Sequence, residues 1–177
     1  MPVLTDDKTL ELLEKLAPSV VATHRDQCRA LVKELEGLPL ALQVAGHMLN
    51  VEASYGFGVT DLIAELREGA RLLEARAPAD RTDLANETTP AIAVLLQRST
   101  ERLDDHTRDC YAFLGVFAPK LATFDLAAMK AVWQVDDPKP IARTLVERGL
   151  LEFVPEMERY QMHALLVSHA KSLMPKD

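Results

Sequence analysis

Histidines, cysteines and paired acids are the groups through which this chain could do chemistry, and their spacing excludes most kinds. His24 and Cys28 stand four apart, which puts both on one face of a helix. A metal site needs three or four ligands, and no second pair follows. Cys28 also continues an apolar stripe with Leu31, Val32 and Leu35, which predicts a buried thiol. Residues 132–137 end an apolar run in two acids, as a magnesium-holding strand does, yet Gln134 interrupts the run and the segment reads as a helix end. Gly56 and Gly58 start like a dinucleotide fingerprint and fail at Asp61, where a third glycine would stand, with no strand ahead of them. The seven glycines, at 37, 46, 56, 58, 69, 115 and 149, include no pair spaced for a phosphate-cradling loop followed by Lys and Ser or Thr. No serine or cysteine sits in a nucleophile motif. By itself the chain is predicted not to be an enzyme. His163 is the exception that holds interest, because it stands where one structural period gives way to another.

The elements around His163 are legible. Residues 145–148 close an amphipathic helix at Gly149, which can take the left-handed conformation that stops it. Residues 150–154 are a short apolar strand, 155–158 a turn, and 159–162 a second strand with Tyr160 and Met162 on one face. From His163 onward Leu166, Ala170 and Leu173 recur at helical spacing, with Leu165 and His169 alongside. A helix over 138–148 followed by a hairpin is the arrangement of a winged helix.

Upstream, Leu10, Leu13 and Leu16 predict a first helix capped by Thr5 or Asp6 and ended by Pro18. Thr23 with Asp26 resembles a capping-box start for a second, stopped by Gly37. Pro39 opens a third, apolar nearly all round over 40–49 and so the expected buried centre of the first domain. Residues 52–59 read as a loop, after which Thr60 can cap a helix with Ile63, Leu66, Ala70 and Leu73. The prediction is mainly α: a four-helix bundle over 1–76, a linker over 77–89, and a winged-helix unit with a short β-hairpin over 90–177. Within that unit, Thr89 and Pro90 restart a helix carrying Leu95, Leu96, Ser99 and Leu103. Asp104 or Asp105 caps a helix with the face Cys110, Phe113, Leu114 and Phe117. Asp125 caps the next, with Phe124 placed to staple onto Met129 and Trp133 on the same face.

Composition narrows the class. The chain is 48% hydrophobic and 27% charged, proportions of a globular domain, and only 5% aromatic, which with its Leu and Ala content favours helix. There is no signal-peptide pattern and no apolar run near 18 residues, so with two cysteines on apolar faces the expected setting is the reducing cytoplasm, with no membrane partner. A net charge of −7 opposes non-specific attraction to nucleic acid.

Two stretches support a resemblance. Residues 37–42 read GLPLAL, and 160–166 read YQMHALL after VERGLLE. Together with the CYAFLGVFAP to FDLAAMKAVW passage and the helix bearing Ser99 and Leu103, they make nearly the whole chain similar to the helical and winged-helix subdomains of the NB-ARC class of STAND signalling ATPases. The resemblance implies that Pro39, the proline of GLPL, lies by a bound nucleotide. It implies that His163, the histidine of the MHD motif, reaches the β-phosphate of ADP. The cofactor would be ADP or ATP with magnesium, bound in a longer parent protein. The partners would be the parent's own upstream P-loop domain and flanking sensor or effector domains. The chain would then be the regulatory lid and latch of a nucleotide-dependent switch. Two departures stand out: Ala164 occupies the position of the motif's aspartate, and the sequence holds no P-loop.

Without the resemblance, His163 reads as a helix cap or a partly buried packing residue, and Pro39 as a good first helical residue. Two other functions fit the residues: a winged-helix DNA-binding transcriptional regulator, reading DNA with Lys139, Arg143 and Arg148, or a helical protein-docking module. The net charge weighs against DNA. The chain is predicted to bind duplex DNA without useful affinity at physiological salt, and an anisotropy titration checks it. Submicromolar, salt-sensitive and sequence-dependent binding would favour the regulator.

Overall fold

Pro18 stops one helix and starts the next. α1 (Asp6–Leu16) ends just ahead of it, and α2 (Pro18–Thr23) begins on its fixed backbone angle, so a short helix lies where the sequence pattern predicts only a break. α3 (Arg25–Glu34) follows from His24, and Thr23 is not its cap. The Thr23 hydroxyl instead donates to the Ser19 carbonyl at 2.9 Å, inside α2. With α4 (Pro39–Tyr55) and α5 (Val59–Arg76), the expected four helices of residues 1–76 are five. The computed structural model describes residues 5–35, 38–56, 58–76, 90–119 and 122–175, and the side chains among them outside 69–76 and 90–94. Over these residues the protein is mainly helical with one small antiparallel sheet. No described helix is long and apolar enough to cross a membrane.

The chain divides into two compact units, Met1–Ser99 and Thr100–Asp177. Gly37 and the expected linker over 77–89, including Thr89, lie outside the described residues. In the first unit α4 is the centre, as its nearly all-round apolar surface requires: Leu40, Leu42, Val44, Ala45, Met48 and Leu49 are all buried, and α1, α2 and α5 pack around it. It runs on through residues 52–55, which the pattern assigns to a loop. Nothing in that stretch breaks a helix, and the stop comes at Gly56, whose φ of +72° is left-handed. α5 starts at Val59, so Thr60 lies inside its first turn and does not cap it. Leu62, Ile63 and Leu66 fill its inner face. Arg67 on α5 clasps Glu34 on α3 through both carboxylate oxygens, at 3.0 and 3.1 Å, a planar fork that fixes the angle between them.

α6 (Pro90–Glu101) crosses the division between the units, with Leu95, Leu96, Ser99 and Thr100 buried. The second unit then follows the capping residues closely. Asp104 caps α7 (Asp105–Phe113), its carboxylate accepting from the Thr107 N–H at 2.8 Å and the Thr107 hydroxyl at 2.7 Å. Those two hydrogen bonds hold its pKa below the ordinary carboxylate value. A 3-10 turn, Leu114–Val116, ends α7. Asp125 caps α8 (Leu126–Trp133) through the Ala128 N–H at 2.8 Å, and α9 (Lys139–Glu147) follows. Gly149 sits at φ +71°, and the Leu150 N–H returns to the Leu145 carbonyl at 2.9 Å to close α9.

β1 (Glu152–Val154) and β2 (Arg159–Gln161) pair antiparallel, with Phe153 opposite Tyr160. A feature with no sequence pattern extends this hairpin. Phe124, just ahead of the α8 cap, exchanges both backbone hydrogen bonds with Tyr160, at 2.8 and 2.9 Å, adding a one-residue bridge beside β2. Arg159 secures it, donating from Nε to the Thr123 hydroxyl at 2.8 Å and from its terminal nitrogen to the Thr123 carbonyl at 2.9 Å.

α10 (Ala164–Leu173) lies on α7 and the 3-10 turn. The buried face of α7 is Thr107, Cys110, Tyr111 and Ala112, continued by Leu114, whereas Phe113 is 39% exposed. Leu173, expected on the inner face of α10, is 37% exposed, since it ends the helix beyond the contact. Gly115 is what lets the two elements approach. A β-carbon there would fall 2.9 Å from the Lys171 backbone nitrogen and 3.2 Å from its α-carbon, so α10 would have to move. Gly115→Ala is expected to cost about 1–3 kcal/mol, seen as a lower urea midpoint. An unchanged midpoint would show that the approach is loose.

Candidate functional site

Met162 and His163 join the hairpin to α10. Met162 is fully buried and anchors the junction, as Leu165 and Leu166 do on the helical side. His163 takes extended backbone angles, φ −61° and ψ 148°, and its Nδ1 accepts the Leu165 N–H at 3.1 Å. It is therefore the N-cap of α10, a place usually held by Ser, Asp or Asn. The bond also settles the ring's tautomer: a nitrogen that accepts has no proton, so in the neutral ring the proton is on Nε2. Ala164 is the first residue of the helix and brings no charge to its positive end.

Six residues further on lies a second imidazole, reached by a residue that the sequence pattern does not single out. Tyr111 is wholly buried on α7. Its hydroxyl lies 3.1 Å from the Leu166 carbonyl, to which it donates, and 3.2 Å from Nδ1 of His169. The rings stand 5.8 Å apart and tilted. With the phenol proton given to Leu166, the phenol oxygen accepts from an Nδ1–H of His169, so a neutral ring completes the set. Burial pushes the tyrosine pKa far above its ordinary range and holds that of His169 below 6.5. The only tryptophan, Trp133, donates from Nε1 to the Cys110 carbonyl at 2.7 Å, tying α8 to the same helix.

Pro39 is the first residue of α4, half-buried, with Leu38 ahead of it in extended conformation. It belongs to the first unit and His163 to the second. Cys28 is fully buried, and burial raises its thiol pKa to about 11, which suits packing and not metal binding alongside His24. Cys110 rises to about 11 as well, through burial first and then the negative charges of Asp109 and Asp104. No cluster of three metal-ligating side chains occurs among the described residues. Residues 132–137 contain the end of α8, with Gln134 at a left-handed φ of 55°.

No family model matches the chain, and no curated protein is significantly similar to it. The junction at His163 is thus the feature from which function must be read.

The buried His169 makes stability depend on pH. Its folded pKa is lowered, so as pH falls through about 6.5 the unfolded chain takes up the proton first and the folded state loses ground. Stability is expected to be level above pH 7 and to decline below it, and His169→Gln is expected to reduce that decline. Urea midpoints at pH 7.5 and 5.5 for both proteins check it, and identical pH dependence would remove His169 from the account.

Proposed function

We propose that this chain is the lid-and-latch portion of a nucleotide-dependent signalling switch of the NB-ARC class, non-catalytic alone and acting in the cytoplasm with the P-loop domain of a parent protein. The observation that carries the reading is the capped junction at His163. The succession α7, Phe124 bridge, α8, α9, β1, β2 supports a winged helix, in which a single bridging residue stands for the first strand. His163 opens the helix directly after it. With Nδ1 committed to the Leu165 N–H, the neutral ring has Nε2–H as its donor, the polarity that a phosphate oxygen requires. ADP, or ATP with magnesium, would be held mainly by backbone amides and a lysine of the P-loop. This chain would supply one donor from His163 and a packing contact from Pro39. Closing the winged helix over ADP and releasing it on exchange would then turn nucleotide state into a change of shape.

Ala164 shapes the expectation. An aspartate at the first position of α10 would interact favourably with the helix dipole, and here the imidazole caps that end without it. A DNA-reading winged helix is the second reading, favoured by the exposed Lys139 and Arg143 on α9 and opposed by the net charge of −7. A helical docking module with no nucleotide role is the third.

One charge-assisted hydrogen bond is worth about 1.5–3 kcal/mol, so losing it should accelerate ADP release from the parent by roughly 10- to 150-fold. His163→Asn separates this from capping, because an asparagine still caps a helix but does not reproduce the Nε2 donor. The expected result is normal stability of this fragment, fast ADP release in the parent, and negligible ADP binding by the fragment alone in calorimetry. Unchanged release in the parent, or low-micromolar binding by the fragment, would overturn the reading.

A further inference from the structure

The second unit carries an apolar trough with a basic rim and, elsewhere on the same hairpin, a tip of complementary character. The trough, about 400 Å3, lies between α9 and the hairpin. Leu126, Val146, Phe153 and Tyr160 line it, and Phe153 remains 40% exposed against the tilted ring of Tyr160. Lys139 and Arg143, one turn apart on α9, stand at its edge, with Glu147 the one carboxylate among the lining residues. Both cations are exposed, and neither side chain has an ion-pair partner among the described residues. In a chain of net charge −7 this is a local exception.

The tip is the four-residue turn between β1 and β2. It presents Met157, 57% exposed, flanked by Glu156 and Glu158, both exposed and without ion-pair partners among the described residues. An apolar side chain between two carboxylates is what an apolar trough edged by two cations accommodates. Glu158 closes the turn in the left-handed region. Its φ is +52°, a left-handed conformation that glycine takes freely and a residue with a β-carbon does not. The tight turn that closes the hairpin sets this conformation at its last residue, so Glu158→Gly can relax it.

We propose that two copies of this chain associate about a two-fold axis, each placing Met157, Glu156 and Glu158 of its turn against the α9 trough of the other. Reciprocal exchange satisfies both halves at once, as a two-fold contact must. Each contact is small and the two molecules repel overall, so the affinity belongs in the micromolar range.

Sedimentation equilibrium on the full chain, from low micromolar to near-millimolar concentration, tests this with a charge exchange. The wild type is expected to pass from monomer to dimer. Lys139→Glu/Arg143→Glu alone and Glu156→Lys/Glu158→Lys alone are expected to remain monomeric, since each then sets like charges face to face. Mixed in equal amounts they are expected to form a heterodimer, because both contacts are again between opposite charges. Glu158→Gly, which relieves the left-handed strain and so does not threaten folding, is expected to weaken the dimer roughly tenfold without lowering the melting temperature. A wild type that stays monomeric throughout overturns the proposal. So does a dimer indifferent to these substitutions, a mixture that fails to associate while both variants retain native circular dichroism, or duplex DNA held by Lys139 and Arg143 in place of a second copy.

Discussion

A buried phenol has one proton to give and costs stability if it cannot give it, and this requirement organises the second unit. Tyr111 discharges it on the Leu166 carbonyl, which fixes where α10 lies on α7 along its length. Gly115 then permits the close approach that the bond demands. Once α10 is placed, its first turn is placed too, and with it the junction that His163 caps. The Trp133 indole makes the same kind of commitment from α8, to the Cys110 carbonyl of α7. One helix thus sets its neighbours by the polar atoms it buries, while apolar contacts fill the space between.

Much of this was legible in the residues, and the reason is local chemistry. Asp104, Asp125 and Gly149 act within three or four residues of themselves, so their roles follow from position along the chain. The nearly all-round apolar character of α4 needed no partner to interpret. What could not be read depends on distant partners or on backbone. The Phe124 bridge to Tyr160 is a strand of one residue, too short for any period to show. Tyr111 is buried while Phe113 emerges because the 3-10 turn and α10 select the face, and hydrophobicity alone ranks the phenylalanine as the more buried. Pro18 signals an ending without showing that a new helix begins on the same residue.

The candidate site divides in the same way. His163 and the helix it opens were readable from the change of period, and Pro39 from its place before an apolar run. The cap role was readable as well, but its geometry was not, since acceptance through Nδ1 depends on the extended backbone angles of His163 itself, which no residue pattern shows. The first helical turn after His163 is also where the family resemblance fails, at Ala164. There the imidazole does structural duty that in the proposed switch is joined to ligand contact, so the two roles share one ring and use its different nitrogens.

Trp133 gives the molecule an optical asymmetry. It is the sole indole in the chain, nearly buried, and belongs to the second unit. Its emission therefore reports the packing between α7 and α8, whereas far-ultraviolet dichroism sums helices from both units. Where the two signals part company during unfolding, the units melt as separate cooperative bodies. Where they coincide, the chain behaves as one.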